Sequence, residues 1–199
     1  TVGTRPEASV FGYTGDLFEF DERDGQVIVR FDTSDLVPVG EGASSYRIDL
    51  VELEITLSQG LPSGLDTTQD DWRTYLPAGT PGAVPDADVG RPIELYATGY
   101  RNGVSADTWT EQTDFSLVGP FGAGVRSAFA AEVGADGALT DVSNSITDQR
   151  TPVPLAVGVS PGASPGEPVS EGATIRFSFD GTDPDVAVWL GGELNAGRL

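Results

Sequence analysis

The chain has 199 residues, with 11 basic and 31 acidic side chains and a formal net charge of −20 at pH 7. Every basic residue is Arg, and there is no Cys or His, which excludes disulfides, thiolate metal sites and histidine-based catalysis. Nucleic acid is not an expected partner, because few cationic side chains could neutralise phosphates. No apolar run reaches about 18 residues, so membrane insertion is not expected either.

Short apolar runs separated by turn residues predict an all-β chain. Gly contributes 26 and Pro 14 residues, spread along the sequence, and hydrophobic residues make up 38%. We expect about eight to ten strands at the spacing of a sandwich. The predicted fold is a two-sheet β-sandwich of jelly-roll type with long irregular loops. It forms a single domain over residues 1–199, with residues 1–13 as an N-terminal arm.

The stretch 25–57 is the predicted centre of the sandwich. Val27, Val29 and Phe31 alternate with polar or outward positions, as in a strand with one buried face. A second alternating run follows over 46–57, but its phase changes at Leu50–Val51. Because a one-residue shift turns every side chain to the other face, we expect a β-bulge there.

The rest of the chain alternates predicted strands with loops. Residues 59–91 form a long region of weak pattern, of the kind that is usually functional or irregular. A helical turn is expected after Asp141, which would cap it. Further strands are predicted at 92–100, 127–133, 154–159 and 174–180, with Ile175, Phe177 and Phe179 inward, and a short apolar run at 185–190.

Five short motifs, in order, resemble the secreted bacterial module known as the DNRLRE domain. They are VIVRFDTSDLVPVG (27–40), YRIDLVELEITL (46–57), TWTE (108–111), DVSNSI (141–146) and LAVGVS (155–160). That family is similar to carbohydrate-binding jelly rolls, so the resemblance implies carbohydrate binding and wall or matrix attachment. Such modules close with a final hydrophobic strand, whereas this chain ends at Leu199, where that strand would start.

Any metal site must use oxygen ligands, which favours Ca²⁺ as the cofactor. Asp180, Asp183 and Asp185 form the best local candidate, on a Gly/Pro turn. An Asp-rich turn without a metal is the alternative. The acidic residues of the long loop show a looser pattern: Asp66, Asp70, Asp71, Asp86 and Asp88.

Three aromatic residues are candidates for a sugar-stacking platform: Trp72, Tyr75 and Trp109. Large aromatic side chains in loops also serve as core plugs, which is the alternative. Glu52 and Glu54 share one strand face and are expected to be solvated rather than catalytic. A polysaccharide-degrading enzyme with a carboxylate pair is the third option.

These observations favour a non-catalytic structural or adhesive protein that is secreted or displayed at the cell surface. We expect it to self-associate into a homopolymer by β-strand addition. The predicted donor is the N-terminal arm, which carries Val2, Val10, Phe11 and Tyr13. A carbohydrate-binding module with a polysaccharide partner is the alternative. A first residue other than Met fits a processed secreted product.

Overall fold

A computed structural model describes residues 27–61, 64–110, 112–113, 127–143 and 145–199. Within these ranges the chain is mainly β. Nine strands are present: β1 Leu50–Thr56, β2 Leu65–Asp66, β3 Arg91–Pro92, β4 Glu94–Leu95, β5 Ala97–Tyr100, β6 Ala128–Val133, β7 Leu139–Asp141, β8 Ala156–Val157 and β9 Thr174–Asp180. The described helices are the α-helix α1, Pro184–Asn195, and the 3₁₀-helices Ala43–Ser45, Trp72–Tyr75 and Ala135–Gly137. None of these helices is long and apolar enough to cross a membrane.

The antiparallel pair β1–β9 is the longest ladder. Its register runs without interruption from Leu50 opposite Asp180 to Thr56 opposite Thr174. The pairing continues beyond the strands, because Leu57 donates its N–H to the Ala173 carbonyl and Leu61 exchanges two hydrogen bonds with Val169. The Gly166 N–H then reaches the Leu65 carbonyl at 2.8 Å. Backbone bonds at Leu57, Leu61 and Leu65 therefore extend the pairing from β1 towards β2.

The hydrophobic core lies on one face of this ladder. Alternation puts Leu53 and Ile55 of β1 opposite Phe177 and Ile175 of β9, so apolar side chains meet in cross-strand pairs. Ile175 and Phe177 are buried, as predicted, with Leu65, Ala156 and Val169 in the same cluster. Partly buried residues complete the cluster: Leu53, Ile55, Leu57, Leu61, Ile93, Leu95, Ala173 and Phe179.

The opposite face of the ladder is solvated. Glu52 and Glu54 are exposed, as the sequence predicts, and Arg176 bonds Glu54 Oε1 at 2.6 Å. An exposed ion pair of this kind contributes about 0–1 kcal/mol, because water screens both charges.

The remaining strands form small sheets. β8 pairs with β4. Val159, which follows β8, exchanges two backbone hydrogen bonds with Arg176 of β9 and so links this pair to the ladder. A separate three-stranded sheet has the order β5-β6-β7, and β2 pairs with β3. Because these sheets are short and do not close, the predicted jelly-roll sandwich is not confirmed; the mainly-β class is.

The predicted central strand at 27–31 is wrong. Val27, Val29 and Phe31 are 40%, 45% and 48% exposed, and among the described residues the pairing next to this segment is an isolated bridge between Asp32 and Arg198. Phe31 and Leu199 exchange two backbone hydrogen bonds, of 2.7 and 3.0 Å. Arg198 and Leu199 thus pair with this segment. The bulge at Leu50–Val51 is also wrong, because β1 begins at Leu50 and its phase is regular from there.

The helix α1 occupies the region expected to hold a short apolar run. Asp183 is its N-cap and accepts hydrogen bonds from the N–H groups of Asp185 and Val186. Pro184 follows at the first helical position, where its missing N–H costs nothing. The expected helical turn after Asp141 is a non-helical turn: the Asp141 carboxylate bonds the Ser143 N–H and hydroxyl.

We predict that the core face of the β1–β9 ladder carries its stability. Ile175→Ala should lower the free energy of unfolding by about 2–5 kcal/mol, because it leaves a cavity in a fully buried site. Leu50→Ala is the control on the same ladder and should change it by less than about 0.5 kcal/mol, since Leu50 is exposed. Urea unfolding measures both values. Equal losses in the two variants would contradict the placement of the core.

Candidate functional site

The long loop after β1 folds back so that its two ends lie side by side. β2 and β3 pair in parallel, with Leu65 opposite Arg91 and Asp66 opposite Pro92. Gly90 allows this close approach: its φ is +111°, and a Cβ atom there would lie 2.9 Å from the Asp66 N atom. A side chain at Gly90 would be strained in conformation and would also clash. Asp66 is thereby brought close to the residues just before β3.

Asp66 belongs to a turn that occurs four times in the described residues. In each case an Asp Oδ1 accepts from the N–H and the hydroxyl of the residue two positions later. The four Asp residues are Asp32, Asp66, Asp141 and Asp180. Such turns stabilise the local backbone through one carboxylate oxygen. The second oxygen needs another partner or water.

The second oxygen distinguishes Asp66 from the other three. Asp32 and Asp180 are exposed to water, and Asp141 Oδ2 accepts from Arg101 Nη1 at 2.6 Å. Asp66 is only 1% exposed, and its Oδ2 is buried without a hydrogen-bond partner. Leaving a buried carboxylate oxygen unpaired costs several kcal/mol, so this position demands an explanation.

Asp66 lies beside two other carboxylates. Asp66, Asp70 and Asp88 each place one carboxylate oxygen within 4.8 Å of the others. Asp66 and Asp70 are buried and Asp88 is exposed, so the group opens to solvent on one side. Thr68 links two of these carboxylates, because its hydroxyl lies 2.9 Å from both Asp66 Oδ1 and Asp88 Oδ2. Within the described ranges, this is the one group of three acidic residues that could surround a metal ion.

Arg91 forms an ion pair with this group through Asp70. Its Nη1 lies 2.7 Å from Asp70 Oδ2 and 2.8 Å from Asp86 Oδ2, and its guanidinium stacks on the Tyr75 ring at 4.7 Å. Burial and the negative charge of Asp70 raise the pKa of Asp86, and Arg91 opposes part of that rise. Burial alone would lower the pKa of Arg91, but Asp70, Tyr75 and Asp86 raise it overall, so it stays charged.

Contacts with the segment after residue 150 hold the loop in place. The Trp72 N–H donates to Thr151 Oγ1 at 3.0 Å, and the Gln69 side-chain amide donates to the Pro152 carbonyl. Asp71 caps the 3₁₀-helix Trp72–Tyr75 by accepting from the Arg73 N–H. The predicted long irregular loop therefore has an ordered structure of its own.

The predicted metal ligands Asp180, Asp183 and Asp185 each have a role in the local backbone. Asp180 closes a turn with Thr182, Asp183 caps α1, and Asp185 Oδ1 accepts from the Asp136 N–H at 3.1 Å. The three line one side of a cleft of about 310 Å³, with Val133, Leu155 and Phe179 among the apolar residues of its wall. They are not brought together as a ligand group. Calcium binding there stays a prediction.

The three predicted sugar-stacking residues differ in their surroundings. Tyr75 is buried, with one ring face covered by Arg91. Trp109 is half-buried and packs on Tyr100, with ring centroids 5.9 Å apart. Trp72 is half-buried in the 3₁₀-helix. Tyr75 thus has the surroundings of a core plug, and carbohydrate binding through the two Trp residues stays a prediction.

The predicted strand-donating residues lie outside the described ranges: Val2, Val10, Phe11 and Tyr13. The sequence pattern does not predict that Asp66, Asp70 and Asp88 lie close together. Its members come from both ends of a loop that only the β2–β3 pairing brings together. The Asp-Thr-Thr turn next to a buried Leu65 was the available signal.

Comparisons with family models, curated proteins and solved structures returned no match. The resemblance to DNRLRE modules therefore stays a prediction.

Asp141 gives a prediction on pH. Burial alone would raise its pKa, but the hydrogen bonds from Ser143 and the ion pair with Arg101 outweigh burial and lower it. A pKa lowered by folding contributes stability above the unfolded value, which is about 3.9, and that contribution disappears as the pH falls through the folded value.

Asp141→Asn should therefore lower the free energy of unfolding by about 1–3 kcal/mol at pH 7, because a charge-assisted bond is lost. The difference from wild type should shrink as the pH falls below about 4. Urea unfolding across pH 3–7 measures it. A difference that stays constant with pH would show that the Asp141 charge contributes nothing to stability.

Proposed function

We propose that this chain is a non-catalytic structural or adhesive module of the cell exterior that self-associates by β-strand addition. One observation carries the proposal: Val27, Val29 and Phe31 have the alternation of a buried strand but are exposed. Placement at the cell exterior is supported by the resemblance to secreted modules alone.

The segment 27–31 has the features of a surface that accepts another strand. Among the described residues, the backbone N–H and C=O groups of 27–30 make no backbone–backbone hydrogen bond, whereas Phe31 pairs with Leu199 and Thr33 with Gly197. The Arg30 side chain donates to the Ala106 carbonyl. Leu36 and Val39 add exposed apolar side chains to the same stretch, at 85% and 47%. Unpaired N–H and C=O groups beside an apolar row are a template for pairing with another chain.

A second copy of this chain is the proposed occupant. Its N-terminal arm offers apolar residues at Val2, Val10, Phe11 and Tyr13 that could cover the row 27–31. Strand addition satisfies the backbone and fills the groove with alternate side chains. The contact joins two different surfaces, so it propagates into filaments unless the rotation closes a ring.

We predict that charges placed in the row stop assembly. Val29→Asp together with Phe31→Asp should reduce a concentration-dependent polymer to monomers, because an adding strand would bury both carboxylates. Val188→Asp is the matched control: Val188 is 50% exposed on α1, and its replacement should leave assembly intact. Sedimentation velocity over a range of concentrations measures the species present. An intact protein that stays monomeric at every concentration would contradict the proposal.

Deletion of residues 1–13 tests the donor separately. A truncated chain that no longer polymerises, and that binds a synthetic 1–13 peptide, would identify the arm as the donor strand. If the truncated chain assembles like the intact one, the arm is not the donor. If the intact chain is monomeric and loses stability on truncation, the arm covers its own row, and self-association is wrong.

A further inference from the structure

We propose that Asp66, Asp70 and Asp88 form a binding site for one calcium ion. This site is independent of self-association and of the turn at 180–185. Three carboxylate oxygens within 4.8 Å of one another form the observed framework. Acidic groups also occur at protein surfaces without a ligand, so the proposal depends on a second observation at Asp66.

That second observation is the buried, unpartnered Oδ2 of Asp66. The turn to Thr68 accounts for Oδ1 but leaves Oδ2 without a partner in a side chain that is 1% exposed. The other three turns of this type place the second oxygen in water or on Arg101. A bound cation is the partner that both satisfies this oxygen and offsets its charge.

The local charge balance points to a cation as well. Four carboxylates lie around one guanidinium: Asp70 and Asp86 contact Arg91, while Asp66 and Asp88 share Thr68. The carboxylates of Asp66, Asp70 and Asp88 lie close together, and like charges repel strongly where burial lowers the effective dielectric constant. A divalent ion between them would replace this repulsion with attraction.

The ligand chemistry selects calcium. All three ligands are carboxylates, which are hard oxygen donors that suit Ca²⁺ or Mg²⁺ rather than zinc or copper. Oxygens within 4.8 Å of one another can surround either ion, but Mg²⁺ demands near-ideal octahedral geometry and keeps most of its waters, whereas Ca²⁺ accepts irregular groups of carboxylates. The solvent-exposed side at Asp88 leaves room for the waters that a calcium ion needs beyond three protein ligands.

Calcium titration of the full chain tests the proposal. Isothermal titration calorimetry should show one saturable site with a Kd of about 10⁻⁵–10⁻³ M. At free calcium one hundred times the Kd, Tm should exceed its value in chelator by about 5–10 °C, because the ion binds only the folded state. No saturable heat up to about 10 mM calcium would overturn the proposal.

Two variants and one matched control locate the site. Asp66→Asn should abolish the calcium-dependent rise in Tm. Asp88→Asn, at an exposed position that tolerates replacement, should weaken binding at least about tenfold through the lost ligand charge. Asp180→Asn removes a carboxylate from the same type of turn on the surface and should bind calcium like wild type. If Asp180→Asn loses binding and Asp88→Asn keeps it, the site lies at 180–185 and the proposal is wrong.

A calcium-dependent rise in Tm could also come from general screening of the acidic surface, since the chain carries a net charge of −20. Mg²⁺ at equal concentration should raise Tm by much less than Ca²⁺, and KCl at equal ionic strength should not reproduce the rise. A rise that KCl or Mg²⁺ reproduces in full would overturn the calcium site.

Discussion

The antiparallel pairing of β1 with β9, extended by backbone bonds at Leu57, Leu61 and Leu65, is the constraint on which the rest of the structure depends. It fixes the phase of β1 and β9, so that Ile175 and Phe177 face inward while Glu54 and Arg176 face water. A slip of one residue would exchange these two faces and expose the core. The same ladder ends at the Gly166–Leu65 bond, next to Asp66. The same strand register therefore positions both the hydrophobic core and the acidic loop, residues 64–92, which carries Asp66, Asp70 and Asp88.

Against this background, the acidic loop departs from ordinary packing rules. Asp66 and Asp70 are buried carboxylates; Asp70 pairs with Arg91, whereas Asp66 Oδ2 has no hydrogen-bond partner among the described residues. The turn to Thr68 accounts for Asp66 Oδ1 but not for the buried Oδ2. Residues that lower the stability of a fold, such as a buried carboxylate with an unpaired oxygen, tend to occupy functional positions. The calcium site supplies this oxygen with a partner without any change in the fold.

How much the sequence predicts depends on the range of the interaction. The strand 174–180 is predicted well, because alternation of Ile175, Phe177 and Phe179 is a local signal. An alternating pattern does not show which other element covers the apolar face of a strand. For this reason the sequence predicts 27–31 as the centre of the sandwich, whereas Val27, Val29 and Phe31 are exposed in the structure. The helix α1 was missed because its apolar run is short and contains Gly191 and Gly192, although Asp183-Pro184 marks its start.

The two groups of acidic residues also show that sequence patterns report short-range interactions and not long-range ones. Asp66 and Asp88 are separated by a long loop, and only the β2–β3 pairing and the close approach at Gly90 bring them together. The turn at 180–185, in contrast, is predicted as a metal site because its acids are adjacent in sequence, and that prediction is not tested by the structure. Two of those acids turn out to close a turn and cap α1. Spacing along the chain identifies acid-rich segments, but the buried unpaired oxygen is visible only in three dimensions.

Hydrogen–deuterium exchange with and without calcium tests most directly whether the loop is organised around a cation. Ordering of the loop by the ion should slow amide exchange across residues 64–92 and in the 150–153 segment that holds Trp72 and Gln69. Exchange in residues 27–31 should not change, because that segment lies outside the site. Uniform slowing over the whole chain, or no slowing in 64–92, would contradict the account.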